Sequence, residues 1–475
     1  MSELDTTAPP QEPAAPEGLW SSIVDALRGS MHDYTAGPIP RAILMLAIPM
    51  VLEMALESVF AVTDVFFVGR LGPDAVATVG LTESMLALIY AVDLGLSMGA
   101  AATVARRIGE RDSEGAARAA VQAVWLGLTA SVIIGVVGVM FAPTFLSLMG
   151  APPGVLANAG YTRIMLGFSG TIMMLFLLNA IFRGAGDAAI AMRVLWFANS
   201  INIVLGPCLI FGLGPFPRMG VLGAATATTI GRACGALFAL TRLVWTSDRI
   251  PIRRVRLTPD PAIMKGVLRL SVSGAIQTFI GTASWIGVVR IVSRFGSDAI
   301  AGYTIAFRMI IFALLPSWGI SNAAATMVGQ ALGAKKPERA ARAVWLTGWY
   351  DCAVLSLAGL VFVVFAKPLV GLFTNEPTVL ATGAAGLRIV ATGFPFYAFG
   401  MVITQAFNGA GDTWTPTLIN AVVFWVWEIP LAYALAIPLG RGVDGVFIAI
   451  TVAFSTLAVV SALLFRRGAW QTTRV

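Results

Sequence analysis

A stretch that occurs twice decides the fold: residues 70–77 read RLGPDAVA, and residues 294–301 read RFGSDAIA, 224 residues later. A second motif repeats at nearly the same distance, as FRGAGD at 182–187 and FNGAGD at 407–412. A period this long does not describe a solenoid of short repeats. It indicates two similar halves.

The composition indicates a membrane protein. Hydrophobic residues make up 57 % of the chain and charged residues 12 %, whereas about 25 % are charged in soluble domains. Mean hydropathy is +0.82. We count twelve apolar stretches of about 20 residues, the length that spans a bilayer. The prediction is an all-α protein with twelve transmembrane helices in two parallel six-helix repeats, a common construction of secondary transporters.

Basic residues set the predicted orientation. They flank the links between spans 2 and 3, between the halves, between spans 8 and 9, and after span 12, which places both termini in the cytoplasm of a bacterial-type inner membrane. The net charge of +7 is this bias, and no nucleic-acid motif accompanies it. The predicted organisation is a cytoplasmic tail (1–40), a first half (41–245), a basic linker (246–263), a second half (264–466) and a second tail (467–475).

The first tail carries a predicted amphipathic helix. Residues 1–16 are rich in Pro, Ala and Glu, and we expect them to be disordered. An apolar stripe follows, formed by Leu19, Trp20, Ile23, Val24, Leu27 and Met31. Such a helix is expected to lie on the lipid of the inner leaflet. The alternative is an unstructured tail.

Residue types that support catalysis or metal binding are scarce. The only histidine, His32, lies in the tail, and the cysteines Cys208, Cys234 and Cys352 are isolated in apolar spans. The two GAGD motifs lack the lysine of a phosphate-binding loop, so a turn is favoured. We therefore predict neither an enzyme nor a bound cofactor.

Three acids in span 1 are the strongest functional signal. Glu53, Glu57 and Asp64 are spaced by four and seven residues, so they share one helical face with Phe60. An ionisable group at bilayer depth costs at least about 2.5 kcal/mol and is a functional hypothesis by default. These acids, with Asp93 in span 2, are candidates for binding H⁺ or Na⁺. The alternative is that Glu53 and Glu57 only anchor other helices.

Other polar residues in the spans suggest a cavity and an ion pair. Candidates for the substrate cavity are Phe60, Asn199, Thr226, Thr228 and Gln277, although the threonines also suit helix packing. Arg308 and Glu428 have opposite charge and lie at matched depth in spans 8 and 11. We therefore predict that they form a structural ion pair. Asp351 fits either a structural or a transport role.

With these motifs the chain resembles the multidrug and toxic compound extrusion (MATE) transporters over nearly all of 41–465. The residues that carry the resemblance are Leu46–Pro49, Asp64, Phe66–Gly72, Arg183–Asp187, Asn202–Leu205, Leu209–Gly212 and Ile429–Tyr433. The resemblance implies two lobes in a V and a proton- or sodium-driven antiporter that exports amphipathic, often cationic, compounds.

Within that family the chain looks closest to the DinF-type branch. Asp64 matches the span-1 aspartate of the branch, and Asn202 matches its span-5 asparagine, which implies a coupling role for both. Where the branch has an aspartate four residues after that asparagine, this chain has Gly206. Where it often has a tyrosine before the aspartate, this chain has Phe60. Glu57 or Asp93 is a candidate to replace the missing acid.

The resulting expectation is a monomeric antiporter for a small-molecule substrate, coupled to H⁺ or to Na⁺ bound near Asp64. The alternative within the same superfamily is a flippase for lipid-linked sugars or another lipid-like substrate. Such flippases tend to have a cationic cavity, whereas the face of span 1 is acidic. A channel is disfavoured by the duplicated architecture.

Overall fold

The computed structural model describes residues 19–29, 33–245 and 249–473. The predictions for residues 1–16, Met31 and His32, and for part of the linker at 246–248, lie outside the described residues. The α-helices in chain order are α1 Leu19–Arg28, α2 Ile39–Gly69, α3 Pro73–Gly109, α4 Ser113–Leu148, α5 Pro153–Ala157, α6 Ala159–Gly167, α7 Ser169–Gly184, α8 Ala188–Phe211, α9 Val221–Trp245, α10 Pro261–Val292, α11 Ser297–Gly333, α12 Pro337–Gly371, α13 Pro377–Ala391, α14 Phe394–Ala410, α15 Trp414–Asn420, α16 Ile429–Ala436 and α17 Gly442–Arg466.

The all-helical membrane fold is confirmed. Within the described ranges, eleven helical segments are long and apolar enough to cross a membrane, and α13 with α14 forms a twelfth if the bent pair is one span. Helices α6 and α7 together make the fourth span. The longest, α3 and α11, have 37 residues each. At 1.5 Å per residue each is about 55 Å long, well beyond the hydrocarbon core.

Two spans are less regular than the sequence pattern predicts. The axes of α13 and α14 differ by 60°, at a break around Gly393 and just before Pro395, which has no N–H to donate. Residues Ala421–Glu428 form a π-helix between α15 and α16. Pro430 follows this segment and cannot donate to the carbonyl one turn earlier. Apolar periodicity does not report such local breaks.

The repeated GAGD motifs are helix-connecting turns, which confirms the turn interpretation. Gly186 and Gly411 have φ of 84° and 85°, a region that glycine occupies without strain. The aspartate that follows each glycine caps the next helix. Asp187 accepts a hydrogen bond from the Ile190 amide at 3.2 Å, and Asp412 accepts one from the Thr415 amide at 3.3 Å.

The two halves meet through pairs of contacts related by the repeat. Gly95 of α3 lies against the backbone of Ala275 in α10. Its counterpart 224 residues later, Gly319 of α11, lies against the backbone of Met50 and Val51 in α2. A β-carbon at either glycine would collide with the facing helix. The sequence repeat is therefore also a spatial repeat at the interface between the halves.

The halves are in closest contact at the end that carries the basic residues. Gly109 of α3 packs against the carbonyl of Gln330, and its counterpart Gly333 of α11 packs against the carbonyl of Arg106. Gln330 Nε2 also donates to the Gly184 carbonyl at 3.0 Å. In the described ranges, every hydrogen bond between residues 41–245 and 264–466 lies at this end. The basic end of the interface is closed.

The N-terminal segment crosses this closed end. Helix α1 packs against the bundle through Ala26, which is buried; its predicted place on the lipid leaflet stays a prediction. The guanidinium of Arg339 in α12 donates to the carbonyls of Tyr34, Ala36 and Gly37. On the other side, the Tyr34 hydroxyl donates to the Gly186 carbonyl at 3.1 Å. Burial raises the pKa of Tyr34 to about 12, so this donor keeps its proton.

Candidate functional site

Glu53, the innermost acid of α2, is an anchor. Its carboxylate is fully buried and accepts from Arg183 Nη1 at 2.7 Å. Asn179 Nδ2 lies 3.4 Å from the same oxygen. Both partners belong to α7, so the pair ties the first span to the fourth. This geometry favours the anchoring alternative for Glu53 over ion coupling.

Glu57 lies one turn further along α2 and is less enclosed. Its side chain is half-buried, and Oε2 accepts from Asn199 Nδ2 of α8 at 2.9 Å. The structure thus brings together two of the predicted site residues. A neutral amide donor satisfies one carboxylate oxygen without neutralising the charge.

Asp64 completes the acidic face of α2. It is half-buried, and among the described residues no hydrogen-bond partner is found for it. Two charged groups lie close enough to interact with it electrostatically, Arg232 of α9 and Glu83 of α3. A carboxylate that is partly accessible and holds no hydrogen bond is free to take up an ion.

Asp93 of α3 is the most isolated acid of the first half. Only 1 % of its surface is exposed, and neither carboxylate oxygen has a hydrogen-bond partner within the described part of the chain. The basic groups that act on it are Arg183 and Arg232. A buried carboxylate without a partner is costly unless it binds something or holds a proton.

Arg232 of α9 is a candidate site residue that the sequence analysis missed. It is 7 % exposed, and its Nη2 donates to the Tyr90 hydroxyl of α3 at 3.1 Å. Its Cζ lies 5.8 Å from the centre of the Phe60 ring. Nη1 is buried and has no partner among the described residues. The signal was available, because an arginine in the middle of an apolar span is as unusual as an acid.

The remaining predicted cavity residues divide into two groups. Asn202 of α8 and Thr228 of α9 are joined by a hydrogen bond of 2.8 Å. Thr226 donates instead to the carbonyl of Leu222 in its own helix, and among the described residues it has no hydrogen bond to the acids. Gln277 is buried in α10, where its Oε1 has no partner among the described residues. At Gly206 the missing acid leaves a space beside the Asn202 amide.

The predicted ion pair between Arg308 and Glu428 is wrong. No salt bridge joins them in the described residues, and Glu428 Oε2 has no hydrogen-bond partner there. Arg308 instead acts electrostatically on Glu83 of the first half, whereas Glu428 acts on Tyr303 and Tyr397. Matched depth along two helices does not fix how each helix is rotated, so it does not predict which side chains meet.

The second half contains a buried acid that is hydrogen-bonded to a neighbouring helix. Asp351 of α12 is fully buried, and its Oδ2 accepts from the Ser317 hydroxyl of α11 at 2.6 Å. Ser317 is the repeat counterpart of Asp93. No group of three His, Cys, Asp or Glu side chains that could hold a metal ion occurs in residues 19–29, 33–245 and 249–473.

Comparisons with known proteins agree with this architecture. A family model described as MatE matches residues 49–208 and 271–434, one range in each half. The chain is 27 % identical over 440 residues to the probable multidrug resistance protein NorM of Thermotoga maritima, covering 92 % of this chain and 94 % of that protein. It is 27 % identical over 447 residues to the protein of the same name from Caulobacter vibrioides, covering 90 % and 92 %.

Solved structures of MATE transporters share this fold. The fold superposes with a TM-score of 0.87 on a multidrug resistance MATE family transporter of the MOP superfamily in an outward-facing conformation, at 27 % identity. The match covers 93 % of this chain and 98 % of that one. Because the MatE model matches more than half of the chain, in both repeats, the protein belongs to the MatE family of multidrug transporters, whose members are not enzymes.

Proposed function

We propose that the protein is an antiporter of the inner membrane that exports amphipathic or cationic compounds in exchange for H⁺ or Na⁺ by alternating access. The observation that carries this proposal is the set of incompletely bonded carboxylates in the first half. Glu57 and Asp64 lie on one face of α2, and Asp93 lies on α3 with both oxygens unbonded. Acids of this kind inside a membrane suit ion or proton transfer.

Helix α2 is the element that links ion binding to movement. Its outer part carries Glu57 and Asp64, and its inner part contacts α11 of the second half at Met50 and Val51. Neutralising Asp64 changes how α2 interacts with Arg232 of α9. That change shifts α2 within the first half and thereby loosens or tightens the contact between the halves.

In this proposal the closed basic end corresponds to an outward-facing state. With both termini in the cytoplasm, the site opens to the outside, and the contacts of Gly109 and Gly333 form the inner seal. Uptake of a coupling ion at Asp64 from outside releases the substrate, and the reverse movement opens the inner side.

The available driving force is sufficient for this exchange. A membrane potential of 100 mV supplies about 2.3 kcal/mol for each charge moved. Because about 1.4 kcal/mol corresponds to a factor of ten, one charge per cycle sustains a substrate gradient of roughly fifty-fold.

Dye efflux from cells that lack their own drug exporters tests the proposal. Expression of the protein should lower the accumulation of a cationic dye. Collapse of the gradient that drives efflux, either that of protons or that of sodium, should restore dye accumulation. Collapse of a potassium gradient should not. Unchanged dye accumulation on expression, for a panel of cationic and zwitterionic dyes with the protein verified in the membrane, would contradict it.

A further inference from the structure

Arg232 places a fixed positive charge inside the acidic site. Around it lie four acids, Glu57 and Asp64 of α2 and Glu83 and Asp93 of α3, and two neutral phenols, Tyr90 of α3 and Tyr161 of α6. Arg308 of α11 acts on Glu83, and Arg183 of α7 acts on Asp93. No carboxylate oxygen lies within 4.0 Å of an Arg232 nitrogen among the described residues. The guanidinium is therefore not paired with a single acid but acts electrostatically on several.

Three side-chain oxygens in the region of Arg232 already accept a hydrogen bond. The Tyr90 hydroxyl accepts from Arg232, Glu57 accepts from Asn199, and the Thr228 hydroxyl accepts from Asn202. Phe60 and Gly206 offer no side-chain oxygen. A hard cation needs several oxygen ligands at once, whereas a proton needs a single carboxylate oxygen.

We propose that the guanidinium of Arg232 stands in for a coupling sodium ion, so that the site exchanges protons and does not respond to sodium. This inference rests on the proposed function, since it names the ion used by the site. It makes Arg232 the residue that sets ion specificity. Removing the charge frees the Tyr90 hydroxyl and leaves Glu57, Asp64 and Asp93 without their shared counter-charge, which creates a site that attracts a cation.

Thermal unfolding of the purified full chain in detergent tests this directly. The wild type should have the same unfolding temperature in NaCl, KCl and choline chloride at equal concentration. Arg232→Gln should gain a stabilisation of about 2 °C or more that is specific to NaCl. Adding Asp64→Asn to Arg232→Gln should abolish that gain. Arg232→Lys, which keeps the charge, should respond like the wild type.

Transport gives the second readout. Efflux by the wild type should be unchanged when external sodium is replaced by potassium and should be lost with a protonophore. Arg232→Gln should become stimulated by sodium at least about threefold. Arg308→Gln is the matched control, because it removes another arginine that lies within a span and acts on Glu83; it should stay independent of sodium.

Each outcome decides the inference. Sodium-specific stabilisation of the wild type that disappears in Asp64→Asn would overturn it, as would a folded Arg232→Gln that ignores sodium. If Arg232→Gln does not fold, Arg232→Met replaces it, since its unbranched apolar chain fills similar space. Failure of the proposed function is a separate result, namely that Asp64→Asn in the native background exports as well as the wild type.

Discussion

The two halves share one backbone plan but carry their buried acids on different helices. In the first half Asp93 lies on α3, and the α4 position that corresponds to Asp351 is Gly127. In the second half the α11 position that corresponds to Asp93 is Ser317, and the buried acids are Asp351 on α12 and Glu428 between α15 and α16. The Asp351 carboxylate is bonded to Ser317, whereas Asp93 has no bonded oxygen among the described residues.

The two aspartates therefore differ in whether their oxygens are satisfied within their own half. A carboxylate that is buried and hydrogen-bonded within its own half stabilises that half. The acids Glu57, Asp64 and Asp93, by contrast, interact electrostatically with Arg232, whose hydrogen bond goes to Tyr90 and to none of them. Under the proposed function, the coupling acids of the duplicated scaffold lie in the first half.

The largest expected effect comes from Asp64→Asn. We expect coupled export to fall by about a hundredfold or more, because the amide cannot exchange a proton, while expression and unfolding temperature change little. Asp351→Asn is the matched control and should retain the ion dependence of efflux. Equal export by Asp64→Asn and the wild type at equal membrane levels would remove Asp64 from the mechanism and erase the distinction between the halves.

The buried pair of Glu53 and Arg183 should give the next largest effect, on stability. Breaking a buried ion pair from one side costs about 3–5 kcal/mol, because an uncompensated charge remains. Glu53→Gln and Arg183→Met should each lower the unfolding temperature markedly. The double variant should recover part of the loss, and a double-mutant cycle measures that coupling. Strictly additive losses would show that Glu53 is not an anchor.

Enlarging Gly109 or Gly333 should impair the closed basic end. A leucine side chain at either position collides with the facing backbone, so we expect export to fall about tenfold and the accessibility of introduced cysteines at this end to rise. Gly80 in the same helix α3 has open space around it. Gly80→Leu should therefore export normally; an equal loss in this control would mean that the effect is not specific to closure.

The smallest effect is expected for Arg308 and Glu428. Because they do not meet, Arg308→Ala and Glu428→Ala should be additive within about 0.5 kcal/mol in a double-mutant cycle of thermal stability. Glu428→Gln should also leave the ion dependence of efflux in place. A coupling energy above about 1 kcal/mol would restore the ion pair that the sequence suggested.

The sequence was enough for the fold, because hydropathy and the repeat at 224 residues are properties of the chain itself. The face shared by Glu57 and Asp64 also follows from helical periodicity. What periodicity does not contain is the rotation of one helix against another, and so the partner of Arg308 was assigned wrongly. Arg232 is not among the predicted site residues, because its contacts with Tyr90 and Phe60 join three different helices.

Proton release on addition of substrate to the purified protein tests most directly whether the coupling site lies in the first half. In weakly buffered detergent solution, a cationic substrate should displace protons from the wild type, from Asp351→Asn and from Glu428→Gln. The signal should be lost in Asp64→Asn. A signal that survives in the triple variant Asp64→Asn, Glu57→Gln and Asp93→Asn would place the coupling site outside the first half and contradict the account.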